Sequence, residues 1–547
     1  MTITRFMTTL LAGVVALALV AAGPSCVCGG GGDNDGGGHD GGDNDGGHDG
    51  GGNDGGDDGG GGGGDGGQDG GPPGATTQVL EYHGGPSRSG VYADPGMTRA
   101  AVTAGAVHRD PGFAGTFVGQ VYAQPLYFEN GGGRPDLVIV ATETNNVIAL
   151  DAVTGGVVWQ RALPQPMLAA NMPCGNIGPN HGITGTPVID APNRALYLSA
   201  LVGQNNGTQA HHQVFGLSLD DGATLPGWPV DMNATARSGA LNFDSTPQGE
   251  RGALSLVGGK VYVPYGGLAG DCGTYHGWVV GIPTANPASV TAWATRAILS
   301  GIWAVGGLAS DGTSLYGATG NGPGGAFGDQ ESVIRFAAGP VYSQANADHF
   351  TPPDWQSLDS GDVDISGSSP LLVDMPGSTP SALVVQLGKD GFAYLLNRSS
   401  LGGTGTGLQK LRVASSQIIQ AGAVYRTPLA TYVAVAATGT NCATGSGDLF
   451  ALKVNPGSPP TLSSAWCTNG FGRTSPMVTT TDGTNDSVVW TVSNADEHLR
   501  AFNGDTGQLL FTGTDTVSGM HGYNTTLILA KGRIYVAGDN RVYAFTR

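Results

Sequence analysis

The chain has 547 residues and a formal net charge of -19, with 97 glycines and only 12% charged residues. A charged share about half that of an average soluble domain, joined to an acidic balance, excludes a nucleic-acid binder, whose basic face must neutralise phosphates. The acidity is uneven: residues 29–74 hold 27 Gly and 11 Asp in 46 positions, so that, once these and Arg5 are set aside, residues 75–547 carry -9.

Met1–Ala22 reads as a signal peptide, with Arg5 in a short positive n-region and an apolar run from Leu10 to Ala22. That run is too short to span a bilayer, and no other stretch is long and apolar enough for a transmembrane helix. Residues 1–28 are therefore a leader, and Cys26, which follows the apolar run, is a candidate lipid anchor of a lipoprotein. Gly23, Pro24 and Ser25 stand where a lipobox prefers Leu and then small residues, so ordinary cleavage nearby is the alternative. The 29–74 tract contains no apolar side chain and cannot build a core, which makes it a disordered linker. It shares Asp and Gly with nonapeptide calcium repeats but not their recurring large apolar residue. As a Gly-rich coil it spans roughly 35 to 40 Å.

After residue 120 short β-branched and aromatic runs alternate with Gly, Asn, Asp and Pro, without a sustained 3.6-residue period. The clearest unit predicts strands over 125–128, 137–142 and 147–151, a turn at Thr154-Gly155, and an outer strand carrying Trp159. Its third strand supplies a phase marker that recurs at Ala149, Gly216, Gly281, Arg335, Leu395, Ala451, Ala501 and Ala544, at intervals of 43 to 67 residues. Thr506, Gly507 and Phe511 lie as far past Ala501 as Thr154, Gly155 and Trp159 lie past Ala149. Gln124-Pro125, Thr186-Pro187, Ser369-Pro370, Thr427-Pro428 and Ser475-Pro476 are expected to open inner strands, where proline removes no ladder donor.

Eight such units predict an all-β, eight-bladed β-propeller of four-stranded antiparallel blades over residues 75–547. The last unit ends after its third strand, so closure requires an outer strand from within 100–119. Cys174, Cys272, Cys442 and Cys467 admit three pairings in an exported body. The repeat phase favours 174 with 272, in loops of neighbouring units, and 442 with 467, within one unit. Four histidines, His181, His211, His212 and His276, are read as hydrogen-bonded or solvated rather than metal-binding. Trp278, at the start of a third strand, is read as blade packing.

The Ala149-Leu150-Asp151, Thr154-Gly155 and Trp159 unit resembles the PQQ (pyrroloquinoline quinone) type propeller repeat, in which the aromatic ring packs between blades. Together with Gly182-Ile183-Thr184-Gly185-Thr186-Pro187, Tyr275-His276-Gly277-Trp278, Thr319-Gly320-Asn321-Gly322 and Gly388-Lys389-Asp390-Gly391, it is similar to exported bacterial PQQ-like propeller proteins related to quinoprotein alcohol dehydrogenases. The resemblance implies a quinone on the propeller axis over calcium, with a carboxylate as base. It assigns Asn321 to calcium, Lys389 to the quinone, Asp362 or Asp364 to catalysis, and Trp303 or Val305 to stacking. The second-blade glutamate ligand is replaced by Gln204, and neither an adjacent Cys-Cys pair nor a Cys-x-x-Cys-His haem motif is present.

A complete propeller with an incomplete cofactor constellation is expected to serve as a non-catalytic binding or assembly module at the cell envelope. Its loop faces would then dock an envelope protein or a small ligand, with no cofactor required. The alternative is a PQQ- and calcium-dependent dehydrogenase that oxidises an alcohol or sugar. No Gly-x-Ser-x-Gly or His-Glu-x-x-His string points to a hydrolase.

Overall fold

Short strands in the computed structural model, most of them buried along their whole length, pair into eight four-stranded antiparallel units, the blades of a β-propeller. It describes residues 74–547 apart from 176, 440, 441, 443–446, 471 and 473, so the leader, Cys26 and nearly all of the Gly/Asp tract lie outside the described residues. The first blade contains Leu126–Phe128, Leu137–Ala141, Asn146–Asp151 and Val157–Ala162. All eight phase markers fall on third strands. Helix is confined to short connections, the longest being Trp355–Gly361.

Closure occurs as the strand count requires. Leu527–Ala530, Arg533–Gly538 and Arg541–Thr546 form three strands of the eighth blade, and His108–Arg109 supplies the fourth, opposite Thr546 and Phe545. A strand from the N-terminal side of the propeller and its last three strands thus share one sheet.

Where the marker is alanine in the first, sixth and seventh blades, an outer-strand ring lies across it. Ala149 is paired with Trp159 and Ala451 with Trp466. Each indole then crosses to the next blade: Trp159 Nε1 donates to the Leu219 carbonyl and Trp466 Nε1 to that of Gly504, both at 2.9 Å. The receiving turns carry Gly222 and Gly507 at φ of +70° and +71°, where a Cβ would come within 2.8 and 2.6 Å of the ring. Glycine is required there by both the left-handed backbone and the close approach.

Four of the five proline pairs precede inner strands, which begin at Leu126, Val188, Leu371 and Met477. Thr427-Pro428 does not: it lies in the turn between Ala423–Arg426 and Thr431–Val435, where fixed φ suits a turn equally well. Trp278 opens its strand and is buried against Phe243. Both expected disulfides, Cys174–Cys272 and Cys442–Cys467, are formed.

A segment without a strong sequence signal fills the axis. Thr76 bonds the Ala93 carbonyl, and its own carbonyl accepts from Lys531 in the turn between the first two strands of the eighth blade. From there Val79 pairs with Tyr127, and Tyr82 packs on Ala253, Val305 and Ala421 from three different blade connections. Val91–Ala93 then returns beside Met477–Thr480 as a parallel, innermost strand of the seventh blade. Arg88, 1% exposed, bonds the carbonyls of Leu254, Leu308 and Tyr82, the Ser255 hydroxyl, and the Glu81 carboxylate at 3.0 Å.

Candidate functional site

Second-to-third strand turns and blade-to-blade connections emerge on one face of a propeller, and on that face the third to sixth blades enclose a cavity of about 260 Å³. Its lining includes Arg251, Trp303, Asn321, Asp362, Asp364 and Lys389. Five of these six were nominated from the sequence, and they arise from four connections, Asp362 and Asp364 sharing one. Trp303 lies between Thr291–Ala294 and Ala309–Ser310, and Asn321 just after Leu315–Ala318. Asp362 caps the Trp355–Gly361 helix in left-handed conformation, and Lys389 lies in the turn between Ala382–Leu387 and Phe392–Asn397.

The glycines of the two site strings permit close approach. A Cβ on Gly388 would stand 2.9 Å from Ile365 Cα, so the Lys389 turn rests directly on the Asp364 segment, and Lys389 N donates to the Asp364 carbonyl at 2.8 Å. A Cβ on Gly320 would meet Trp303 Nε1 at 3.3 Å and Asp364 Cγ at 3.4 Å.

Asp364 is the hub of the site. Its Oδ1 accepts from Asn321 N at 3.0 Å, and its Oδ2 from Trp303 Nε1 at 3.1 Å and Lys389 Nζ at 2.8 Å. Lys389 also bonds Asp362 Oδ1 at 3.0 Å, and its ammonium lies 5.0 Å from the Trp303 ring centroid. The Asp364 side chain is 1% exposed, whereas that of Asp362 is 65% exposed. Burial pushes the Asp364 carboxyl above its usual range, with the Lys389 ammonium opposing. Burial also works against the ammonium of Lys389, but the two aspartates outweigh it and hold its pKa up.

Two sequence assignments are corrected. Gln204 is exposed, in the turn that follows Ala195–Gly203, and does not line the cavity. The second blade's middle strands run to nine and ten residues, longer than the first blade's, and carry that turn away from the site. Val305 packs on Tyr82, so Trp303 is the ring that faces the cavity.

Glu250 was missed. It lines a small recess that shares Arg251, Gly267, Leu268 and Ala269 with the cavity. It is 4% exposed; its Oε2 accepts from Gly185 N at 3.3 Å, but its Oε1 has no hydrogen-bond partner, and burial pushes its carboxyl well up. The available signal was a glycine-flanked acid, Gly249-Glu250-Arg251-Gly252, just before an inner strand.

The histidines remain apart in role: His211 pairs with Asp231 at 2.7 Å, His212 bonds the Gln248 carbonyl, and His276 that of Thr295. Among the described residues no group of three or more His, Cys, Asp or Glu side chains is gathered to hold a metal.

No protein-family profile and no curated protein matches the chain. Among solved structures it is similar to the quinohemoprotein alcohol dehydrogenase of Pseudomonas putida HK5, with 14% identity, a TM-score of 0.59, and coverage of 86% of this chain and 80% of the other. The enzyme of the same type from Comamonas testosteroni gives 14%, 0.55 and the same coverages. A europium-containing methanol dehydrogenase gives 15% and 0.54, covering 84% of this chain and 89% of its own. These likenesses establish the fold: this chain is built on the eight-bladed propeller shared by the PQQ quinoprotein alcohol and methanol dehydrogenases.

Proposed function

We propose that the chain is an exported, PQQ- and calcium-dependent dehydrogenase that oxidises an alcohol or sugar. The observation that carries this reading is the meeting of Trp303, Asn321, Asp364 and Lys389 in one axial cavity, each from a different connection. It favours the enzyme over the binding module expected from the incomplete sequence pattern.

The residues present fit the cofactor pair. Trp303 offers a planar face, and Lys389 and Arg251 offer cations for quinone oxygens. Asn321 and Glu250 offer hard oxygen donors of the kind calcium takes. The unpartnered buried oxygen of Glu250 points the same way, because such a group is costly to leave unsatisfied. When bound, the pair supplies a two-electron acceptor and a Lewis acid.

The chain's own part is positioning and proton removal. Asp364 takes the proton of the substrate hydroxyl, while the Trp303 and Asn321 N–H groups fix the carboxylate in place. The two disulfides and the lack of any described helix able to cross a membrane are compatible with export.

The test is a titration of the purified protein with PQQ and calcium, followed by dye-linked oxidation of ethanol and glucose. A bound-quinone spectrum and turnover are expected. Asp364→Asn should retain the spectrum and lose about 10²- to 10⁴-fold in kcat. Neither spectrum nor turnover at saturating cofactor would return the chain to the role of a module for an envelope partner.

A further inference from the structure

We infer that the Cys174–Cys272 disulfide is a specificity-determining strap, which locks residues 268–275 as one wall of the axial cavity and sizes its mouth for a small substrate. The inference rests on the dehydrogenase reading for its catalytic readout. Its structural readout does not.

The two cysteines lie outside the sheets, in separate parts of the chain 98 residues apart. Cys272 belongs to the turn between Lys260–Gly267 and Trp278–Pro283, and Leu268, Ala269, Gly270, Asp271 and Tyr275 of that turn line the cavity. Cys174 belongs to the connection between the first and second blades, whose Gly175 and Ile177 line the adjoining recess. The bridge therefore joins two parts of the cavity lining rather than two parts of the core. It also touches the wall directly, since a Cβ on Gly270 would stand 3.3 Å from Cys174 Sγ.

The wall has an unusual backbone. Gly270, Asp271 and Gly273 have φ of 110°, 50° and 80°, so three of four consecutive residues are left-handed, and Asp271 is so without being glycine. Such a conformation persists only where surrounding contacts impose it. Few apolar contacts do so here: Leu268 and Tyr275 are buried at the two ends, and the residues between them are exposed or half-buried. The side-chain links within it are the disulfide and one bond, Tyr275 Oη to Asp271 Oδ1 at 2.6 Å, beside backbone bonds from Asp271 N to the Leu268 carbonyl, from Leu268 N to that of Pro247 and from Leu299 N to that of Tyr275. Tyr275 lies flat on the strand end because Gly267 has no side chain; a Cβ there would come within 2.3 Å of the ring. A wall whose covalent link and side-chain bond both lie at the cavity controls what enters without being needed to hold eight sheets together.

The test compares the oxidised full-length protein with the Cys174→Ser, Cys272→Ser double variant and with Tyr275→Phe. Hydrogen exchange without cofactor should rise at least tenfold in 268–275 in the double variant and less in Tyr275→Phe, with Trp278–Pro283 and the other blades unchanged. With PQQ and calcium, KM for ethanol should rise at least tenfold with kcat within twofold, and the preference for ethanol over glucose should narrow. Unchanged exchange in 268–275 would overturn the inference. So would a rise spread over all blades, which would make the bridge a staple of the fold, or a fall in kcat at constant KM. If the wild type binds no quinone, the dehydrogenase reading fails, while the exchange comparison still decides whether the wall depends on the strap.

Discussion

Glu143, buried at 0% exposure, is charged only at the expense of solvation, and among the described residues no salt bridge reaches it; its oxygens accept from Gly182 N at 2.6 Å and the Thr184 hydroxyl at 2.7 Å. Burial pushes its carboxyl up to about 7. Because the folded value exceeds the unfolded one of 4.5, the native state binds more protons between the two, so stability falls as pH rises through this window. The loss is up to about 3 kcal/mol at one pKa unit per 1.36 kcal/mol. His83 and His181, pushed down to about 3 by burial, and His212, to about 4, act with the opposite sign, losing stability as pH falls below 6.5. They are common to wild type and Glu143→Gln and cancel in the difference. Urea unfolding of the two proteins at pH 5 and pH 8 should therefore show the variant gaining on wild type at the higher pH. An equal difference at both pH values would mean that Glu143 titrates normally.

The blade is the element whose logic is most open to sequence reading, because its signals are local. Turn glycines mark positive φ, short β-branched and aromatic runs mark the buried strands, and the fixed offset from Ala149 to Trp159 reappears from Ala501 to Phe511 because both rings cross their own third strand. The site residues were legible where they sat in glycine-rich turns, as Asn321 and Lys389 do. Glu250 was not, because its role depends on how a blade connection folds back, and Gln204 misled because strand length shifts the turn that carries it. Thr427-Pro428 misled for a simpler reason: proline suits the turn that follows a strand as well as the start of one. The contact of Trp159 with Gly222 allows a direct comparison. Gly222→Ala combines left-handed strain with overlap on a buried ring and should cost about 2–4 kcal/mol. Gly131→Ala has a similar φ of +66° but nothing within 4 Å, so it should cost only the strain, about 1–2 kcal/mol. Chemical denaturation of both variants checks the order, and equal losses would remove the blade-docking role given to Gly222.

At the scale of the whole molecule, ring closure and axial filling are the work of one N-terminal stretch. Thr76 lies beside Lys531, in a first-to-second strand turn, which places it on the face opposite the cavity. From there the segment crosses the axis and ends as the outer strand of the eighth blade. Apart from its closing strand, which the strand count placed within 100–119, its amino acids carry no repeat and no periodicity, since each meets a different blade, which is why the axial part could not be read from the sequence. Arg88 bears the greatest share of those contacts, tying the first residues of the third blade to the turn before the fourth through Leu254, Ser255 and Leu308. Arg88→Ala would leave Glu81 buried without its cation and should cost about 3–5 kcal/mol, whereas a Glu81→Gln, Arg88→Met double variant should cost less than that single change because no charge is stranded. Hydrogen exchange should rise in the third and fourth blades together and in Val91–Ala93, the far end of the same segment. If the loss stayed within residues 81–90, the axial segment would be a passenger of a ring that holds itself closed.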